Sequence, residues 1–149
     1  GGPAERWAEE RGLTDGVTFL GPTARAELLD RMGAADLFVH PSREESFGNV
    51  LVEAMAQGTP VIGGRDSGAV PWVLEDGRAG LLTNVDQPHL LARDMVSLLS
   101  DPARWAMFSS SGQAISRGRF CVSHVAKQYA DVLERHLATS HRATDQRTP

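Results

Sequence analysis

Pro41-Ser42-Arg43-Glu44-Glu45-Ser46-Phe47-Gly48-Asn49-Val50-Leu51-Val52-Glu53-Ala54-Met55-Ala56-Gln57-Gly58-Thr59-Pro60-Val61-Ile62 is the stretch that decides the fold. An apolar run, Asp36 to His40, leads into it and predicts a strand. Phe47, Val50, Leu51, Ala54 and Met55 recur at i, i+3, i+4, i+7 and i+8, the pattern of a helix facing a core. Gly58 predicts the end of that helix, and Pro60-Val61-Ile62 predicts the next strand. The order is strand, loop, helix, strand. Its polar groups fall at the carboxyl end of the first strand, the edge where open α/β sheets bind ligands.

The same alternation extends outward. Toward the amino end, Ala4 to Arg11 predicts a helix with Trp7 buried and Gly12 as its cap. Val17-Thr18-Phe19-Leu20 predicts a buried strand closed by Gly21-Pro22, and Thr23 a cap for a helix through Met32. Toward the carboxyl end, Asp66 or Ser67 predicts the cap of a short helix through Leu74, and Ala79-Gly80-Leu81-Leu82 a further strand after the Asp76-Gly77 turn. Three helices follow, about 87–99, 102–116 and 123–138, with Pro102 in a first turn. Residues 1–139 read as one domain and 140–149 as a disordered polar tail. The fold class is α/β, a Rossmann-like parallel sheet with helices on both faces.

Composition narrows the function. The chain is 41% hydrophobic and 23% charged, the make-up of a soluble globular domain. Its net charge of -4 gives no support for nucleic-acid binding, which needs a basic patch. The single cysteine, Cys121, excludes an internal disulfide, and there is no CxxC or Cys/His cluster to mark a zinc site. It reads as a small buried hydrophobe, with a nucleophile as the alternative. No apolar run approaches the roughly 18 residues of a membrane span, and no signal peptide is visible. The sequence opens without an initiator methionine, so a lost leader stays open.

The loop has its own chemistry. A helix start carries about half a positive charge and unpaired N–H groups, which suit a phosphate or diphosphate. Ser46, Phe47, Gly48, Asn49 and Val50 supply that start, and Gly48 allows close approach to the backbone. Glu53 falls at the edge of the apolar stripe. An ionised carboxylate there accepts hydrogen bonds only and suits a vicinal diol such as that of a ribose. Glu45, before the helix, suits sugar hydroxyls. The alternatives are a solvated helix carboxylate for Glu53 and simple helix-dipole stabilisation for Glu45. Arg43 is either a phosphate partner or a solvated side chain, and His40 either lines the pocket or is a strand-end histidine. Trp105 and Phe108 read as core.

With these residues in hand, Pro41 to Ile62 resembles the signature of retaining glycosyltransferases of the two-domain GT-B architecture, family 4. That group's mark is Glu-x7-Glu, matched by Glu45 and Glu53. Val17 to Gly21 is similar to its V-x-F-L-G strand, Ala34 to Val39 to its A-D-x-F-V strand, and Glu75 to Leu82 to its D-G-x-x-G-L-L turn and strand. The resemblance covers about residues 1–138. It implies that Glu53 holds the ribose hydroxyls of a UDP- or GDP-sugar donor and that Glu45, the catalytic member, contacts the donor sugar. It implies that Ser46, Phe47, Gly48, Asn49 and Val50 contact sugar and diphosphate. It further implies transfer of a hexose to a glycan, lipid or small acceptor with retention of configuration and with no metal cofactor. The implied setting is polysaccharide biosynthesis in the cytoplasm, with peripheral association of the full-length enzyme at the inner membrane face.

Two departures qualify this. The family's domain begins with two further β–α units, the first bearing an Arg and a Lys that neutralise the diphosphate. In the order 3-2-1-4-5-6 the strands expected ahead of Gly1 are central. They, the basic pair and an N-terminal Rossmann-like acceptor domain are expected elsewhere in a parent protein, and 1–149 alone is expected to be inactive. Second, the family's G-G-x-P-E turn is Ser67-Gly68-Ala69-Val70-Pro71-Trp72, with Trp72 in place of the Glu. The competing readings are a nucleotide-sugar epimerase of similar shape and a non-catalytic nucleotide-binding module.

Overall fold

A buried strand must pair its backbone with neighbours, and three of the apolar runs do so side by side. The computed structural model describes residues 2–145. In it β1 (Phe38–His40), β2 (Val61–Gly64) and β3 (Leu81–Thr83) form a parallel sheet in the order β1-β2-β3. Phe38 lies opposite Val61, and Ile62 opposite Leu81. Parallel neighbours need a crossover. Helix α3 (Asn49–Gln57) provides the first, and α4 (Val70–Val73) with a 3-10 turn at Glu75–Gly77 provides the second. Helices α1 (Pro3–Glu9) and α2 (Arg25–Ala34) precede the sheet, and α5 (Pro88–Leu99), α6 (Pro102–Arg119) and α7 (Val122–Asp145) follow it.

Alternation along β2 divides the core in two, because successive side chains of a strand point to opposite faces. Val61 packs with Met32, Leu51, Ala54, Met55, Val70, Val73 and Leu74, from α2, α3 and α4 and the residue after α4. Ile62 packs on the other side with Leu98 and Phe108, joined by Leu91, Met95 and Trp105 from α5 and α6. Helices therefore cover both faces, as expected for a parallel sheet.

Helix α6 braces the amino edge of the sheet. Ser109 donates to the carbonyl of Gly58 at 2.6 Å, Ser111 to that of Arg78 at 2.9 Å and Gln113 to that of Ala56 at 3.3 Å. Gly112 lets it come close, since a Cβ there would stand 3.0 Å from the Ala79 carbonyl oxygen. The carboxyl edge is left to the loops.

Several expectations are corrected. Residues 17–20 form no strand, and Val17 and Leu20 are half exposed. A four-residue strand is held by its ladder, and no described strand stands beside this one. Trp7 is 54% exposed, and Ala8 is the residue that α1 buries. Helix α2 is capped by Ala24, while the Thr23 hydroxyl turns back to the Gly21 carbonyl. The cap of α4 is Ala69, because the Ser67 hydroxyl is used elsewhere. Cys121 is only partly buried, at the joint of α6 and α7. Helix α7 runs through Asp145, into the stretch expected as a tail, which has no Gly or Pro before Pro149 to stop it. Residues 146–149 of that expected tail lie outside the described residues.

Leu51 is fully buried in the α3 face. Leu51→Ala is expected to lower stability by about 2–5 kcal/mol in urea denaturation, from lost transfer energy and a cavity.

Candidate functional site

Residues 41–48 leave β1 at its carboxyl end and are fastened to the loop that leaves β2. Ser67 Oγ donates to the Ser42 carbonyl at 2.6 Å, and the Ala69 amide donates to the Glu45 carbonyl at 2.9 Å. Between these two bonds sits Gly68, with φ +56, and a Cβ on it would collide with the Glu45 carbonyl oxygen. Only glycine fits this approach, both by space and by its left-handed backbone. The loop after β3 joins through Asp86, which pairs with Arg43 Nε at 2.7 Å. Arg43 is thus engaged by a carboxylate on a highly exposed surface.

Glu45 is held at both oxygens. His40 Nε2 lies 3.0 Å from its Oε2, and the Phe47 amide donates to its Oε1 at 3.3 Å. The His40 hydrogen bond, aided by the Phe47 amide and opposed by desolvation, holds its carboxyl below the ordinary glutamate range. His40, at the last position of β1, therefore lines the site through Glu45.

Gly48 caps α3 in the left-handed conformation, φ +87, and a Cβ there would stand 2.8 Å from Leu51 Cδ1. Among the described residues the amides of Gly48, Asn49 and Val50 donate to no backbone acceptor. They are the unpaired donors of the helix start. The side chains of Ser46 and Asn49 are exposed. Phe47 turns the other way, 6.0 Å from Trp72 and 5.8 Å from Phe120 between ring centroids.

Glu53 lies further along α3, its side chain 21% exposed, and pairs with Arg25 Nη2 at 2.6 Å. Its partner comes from α2. Glu45 instead meets β1 and the β2 loop, so the two carboxylates have different neighbours. Arg25 escapes a motif search, and its one signal is a basic residue at the first position of a helix, where acids are favoured. Trp72 packs into the aromatic cluster, with the Arg119 guanidinium 3.9 Å from its ring centroid. The Trp72 side chain is nonetheless half exposed. Trp105 and Phe108 join the core as expected, with Trp105 Nε1 donating to the Asp36 carbonyl at 2.7 Å. Among the described residues no group of three or more His, Cys, Asp or Glu is placed to hold a metal ion, and no helix is long and apolar enough to cross a membrane.

Known proteins share this fold. The family model described as "Glycosyl transferases group 1" matches residues 3–115. The D-inositol 3-phosphate glycosyltransferase 2 of Catenulispora acidiphila is 38% identical over 132 residues, which are 89% of this chain and 30% of that protein. Sucrose-phosphate synthase of Thermosynechococcus elongatus superposes with a TM-score of 0.80 at 31% identity, over 91% of this chain and 34% of its own. HepE of Anabaena in complex with UDP gives 0.78 at 34% identity, over 89% and 36%. The same protein with UDP-glucose gives 0.77 at 33%, over 89% and 36%. The chain spans about a third of the length of these relatives.

Two outcomes follow from the geometry. Gly68→Ala is expected to push the Glu45 backbone away and lower the melting temperature more than Gly2→Ala, which meets nothing within 4 Å. Equal melting temperatures for the two variants would refute the close approach. The depressed Glu45 carboxyl stabilises the fold fully above the ordinary glutamate range, near 4.3, and this is lost as the pH falls through its lower folded value. Urea denaturation from pH 5 down to 2 is therefore expected to show a shallower acid loss in Glu45→Gln than in the unmodified protein.

Proposed function

This chain belongs to the glycosyl transferases group 1 family, and we propose that residues 1–139 form the nucleotide-sugar-binding part of a retaining glycosyltransferase of family 4. The observation that carries this reading is the start of α3. Unpaired amides at Gly48, Asn49 and Val50 open toward the carboxyl edge of the sheet, with Glu45 before them and Glu53 one turn beyond. A diphosphate fits the amides, and a sugar on one side and a ribose on the other fit the two acids.

Each residue then has a task. Glu53 accepts from the ribose hydroxyls. Glu45, ionised and fixed by His40 and the Phe47 amide, accepts from hydroxyls of the donor sugar and orients it at the reacting carbon. The amides of Gly48, Asn49 and Val50 bind the diphosphate, while that of Phe47 stays on Glu45. When the glycosidic bond to it breaks, they face the charge that develops on the leaving group, which is how preorganised donors lower a barrier. No metal is required in this scheme. Basic groups outside these 149 residues complete the charge balance, and an N-terminal Rossmann-like domain of the same parent binds the acceptor. Both the 1–149 fragment's lack of activity and a cytoplasmic setting, with the parent peripheral at the membrane, belong to the same proposal. HepE's capture with UDP-glucose makes a UDP-sugar the first donor to test, with a GDP-sugar second.

Calorimetric titration of the full-length protein with UDP and GDP provides the test. One of them is expected to bind, and Glu53→Ala to weaken it about tenfold or more, the worth of hydrogen bonds to a charged group. Binding of neither nucleotide, or no loss in Glu53→Ala, would sink the reading.

A further inference from the structure

The proposed ribose acceptor is itself held. Arg25 opens helix α2, and its Nη2 donates to Oε1 of Glu53 at 2.6 Å across a sequence separation of 28. Two features separate this pair from an ordinary surface ion pair. The first is the arginine's place. A helix start carries partial positive charge and disfavours a cation, yet Arg25 stands at the first position of α2. A residue that breaks a local rule and compensates elsewhere points to a functional demand.

The second is the mounting. The buried Thr59 hydroxyl, just past α3, donates to the Met32 carbonyl near the end of α2. Arg25 and Met32 on α2 thus meet Glu53 on α3 and Thr59 just beyond its end in the same order, so the two helices run alongside in one direction. Gly33 and Gln57 add to this contact, with a Cβ on Gly33 3.5 Å from the Gln57 Oε1. The spacing of Arg25 and Glu53 is therefore set by two packed helices, not by a loop, and such mounting places functional groups accurately.

We propose that Arg25 is a positioning residue for Glu53, fixing the plane of its carboxylate for the ribose diol. This rests on the reading of Glu53 given above. One charge-assisted hydrogen bond occupies Oε1 in one direction, leaving Oε2 and the remaining lone pair of Oε1 for two hydroxyls. A glutamate without such a partner spreads over several rotamers and must be ordered when ligand arrives, which weakens binding. The arginine acts through the acid and touches no ligand atom in this scheme.

The test uses the full-length protein with whichever of UDP and GDP it binds, and the 2′,3′-dideoxy form of the same nucleotide. Arg25→Ala is expected to weaken the ribonucleotide about three- to fivefold, the scale of a partly exposed ion pair, and to leave the dideoxy affinity unchanged. Arg25→Lys keeps a charge and a donor and is expected to recover most of the loss. Arg25 is 76% exposed, so neither variant threatens the fold. Should Arg25→Ala leave the ribonucleotide unchanged while Glu53→Ala abolishes discrimination between the two nucleotides, the positioning role fails and the ribose role stands. Equal loss on both nucleotides would also overturn positioning, since the arginine would then act on phosphate or base. Discrimination that survives Glu53→Ala overturns the ribose role and the positioning role together.

Discussion

The contact of Gly68 with the backbone of Glu45 governs the carboxyl edge of the sheet. Parallel strands end there with loops that have no ladder of their own. The loops after β1 and β2 are joined instead by the Ala69 amide on the Glu45 carbonyl and the Ser67 hydroxyl on the Ser42 carbonyl. Both bonds require the backbones to meet at a distance that excludes any side chain at position 68. With the Glu45 backbone fixed, its carboxylate can reach His40 on one side and the Phe47 amide on the other. The start of α3 then has one orientation. The polar arrangement is built backbone first, and the acids are set upon it.

Helix α3 and strand β2 are legible from the sequence because each satisfies its rule locally. Leu51, Ala54 and Met55 recur at helical spacing and are all buried, while Val61 and Ile62 alternate between two cores. The sheet, its parallel order and the grouping of Ser46 to Val50 at a helix start follow from the same patterns. The 17–20 segment has as good a strand composition as β1, but composition describes only a side-chain surface. A strand also needs a neighbour, and pairing is a property of the whole sheet. Trp7 misleads for a related reason, since its ring is buried only where another element covers α1.

Long-range partners of the acids are the other illegible part. Nothing in the local sequence ties Arg25 to Glu53, because that pair is brought together by the packing of α2 against α3. Arg43, the one cation close in sequence to the loop, is drawn off by Asp86 after β3. Proximity along the chain therefore overstates Arg43 and hides Arg25. The substitution of Trp72 for an expected acid is visible in the sequence. Its environment, a ring cluster with Phe47 and Phe120 capped by Arg119, is not.

The bracing of the amino edge by α6 has an evolutionary side. Ser109, Ser111 and Gln113 reach main-chain carbonyls at Gly58, Arg78 and Ala56 and read no side chain. Every residue type presents the same carbonyl, so changes at positions 56 and 78 leave these clamps intact. Those two exposed positions are thereby free to drift, while the sheet keeps its seat. A scaffold fastened in this way can accumulate new surface chemistry without renegotiating its own assembly.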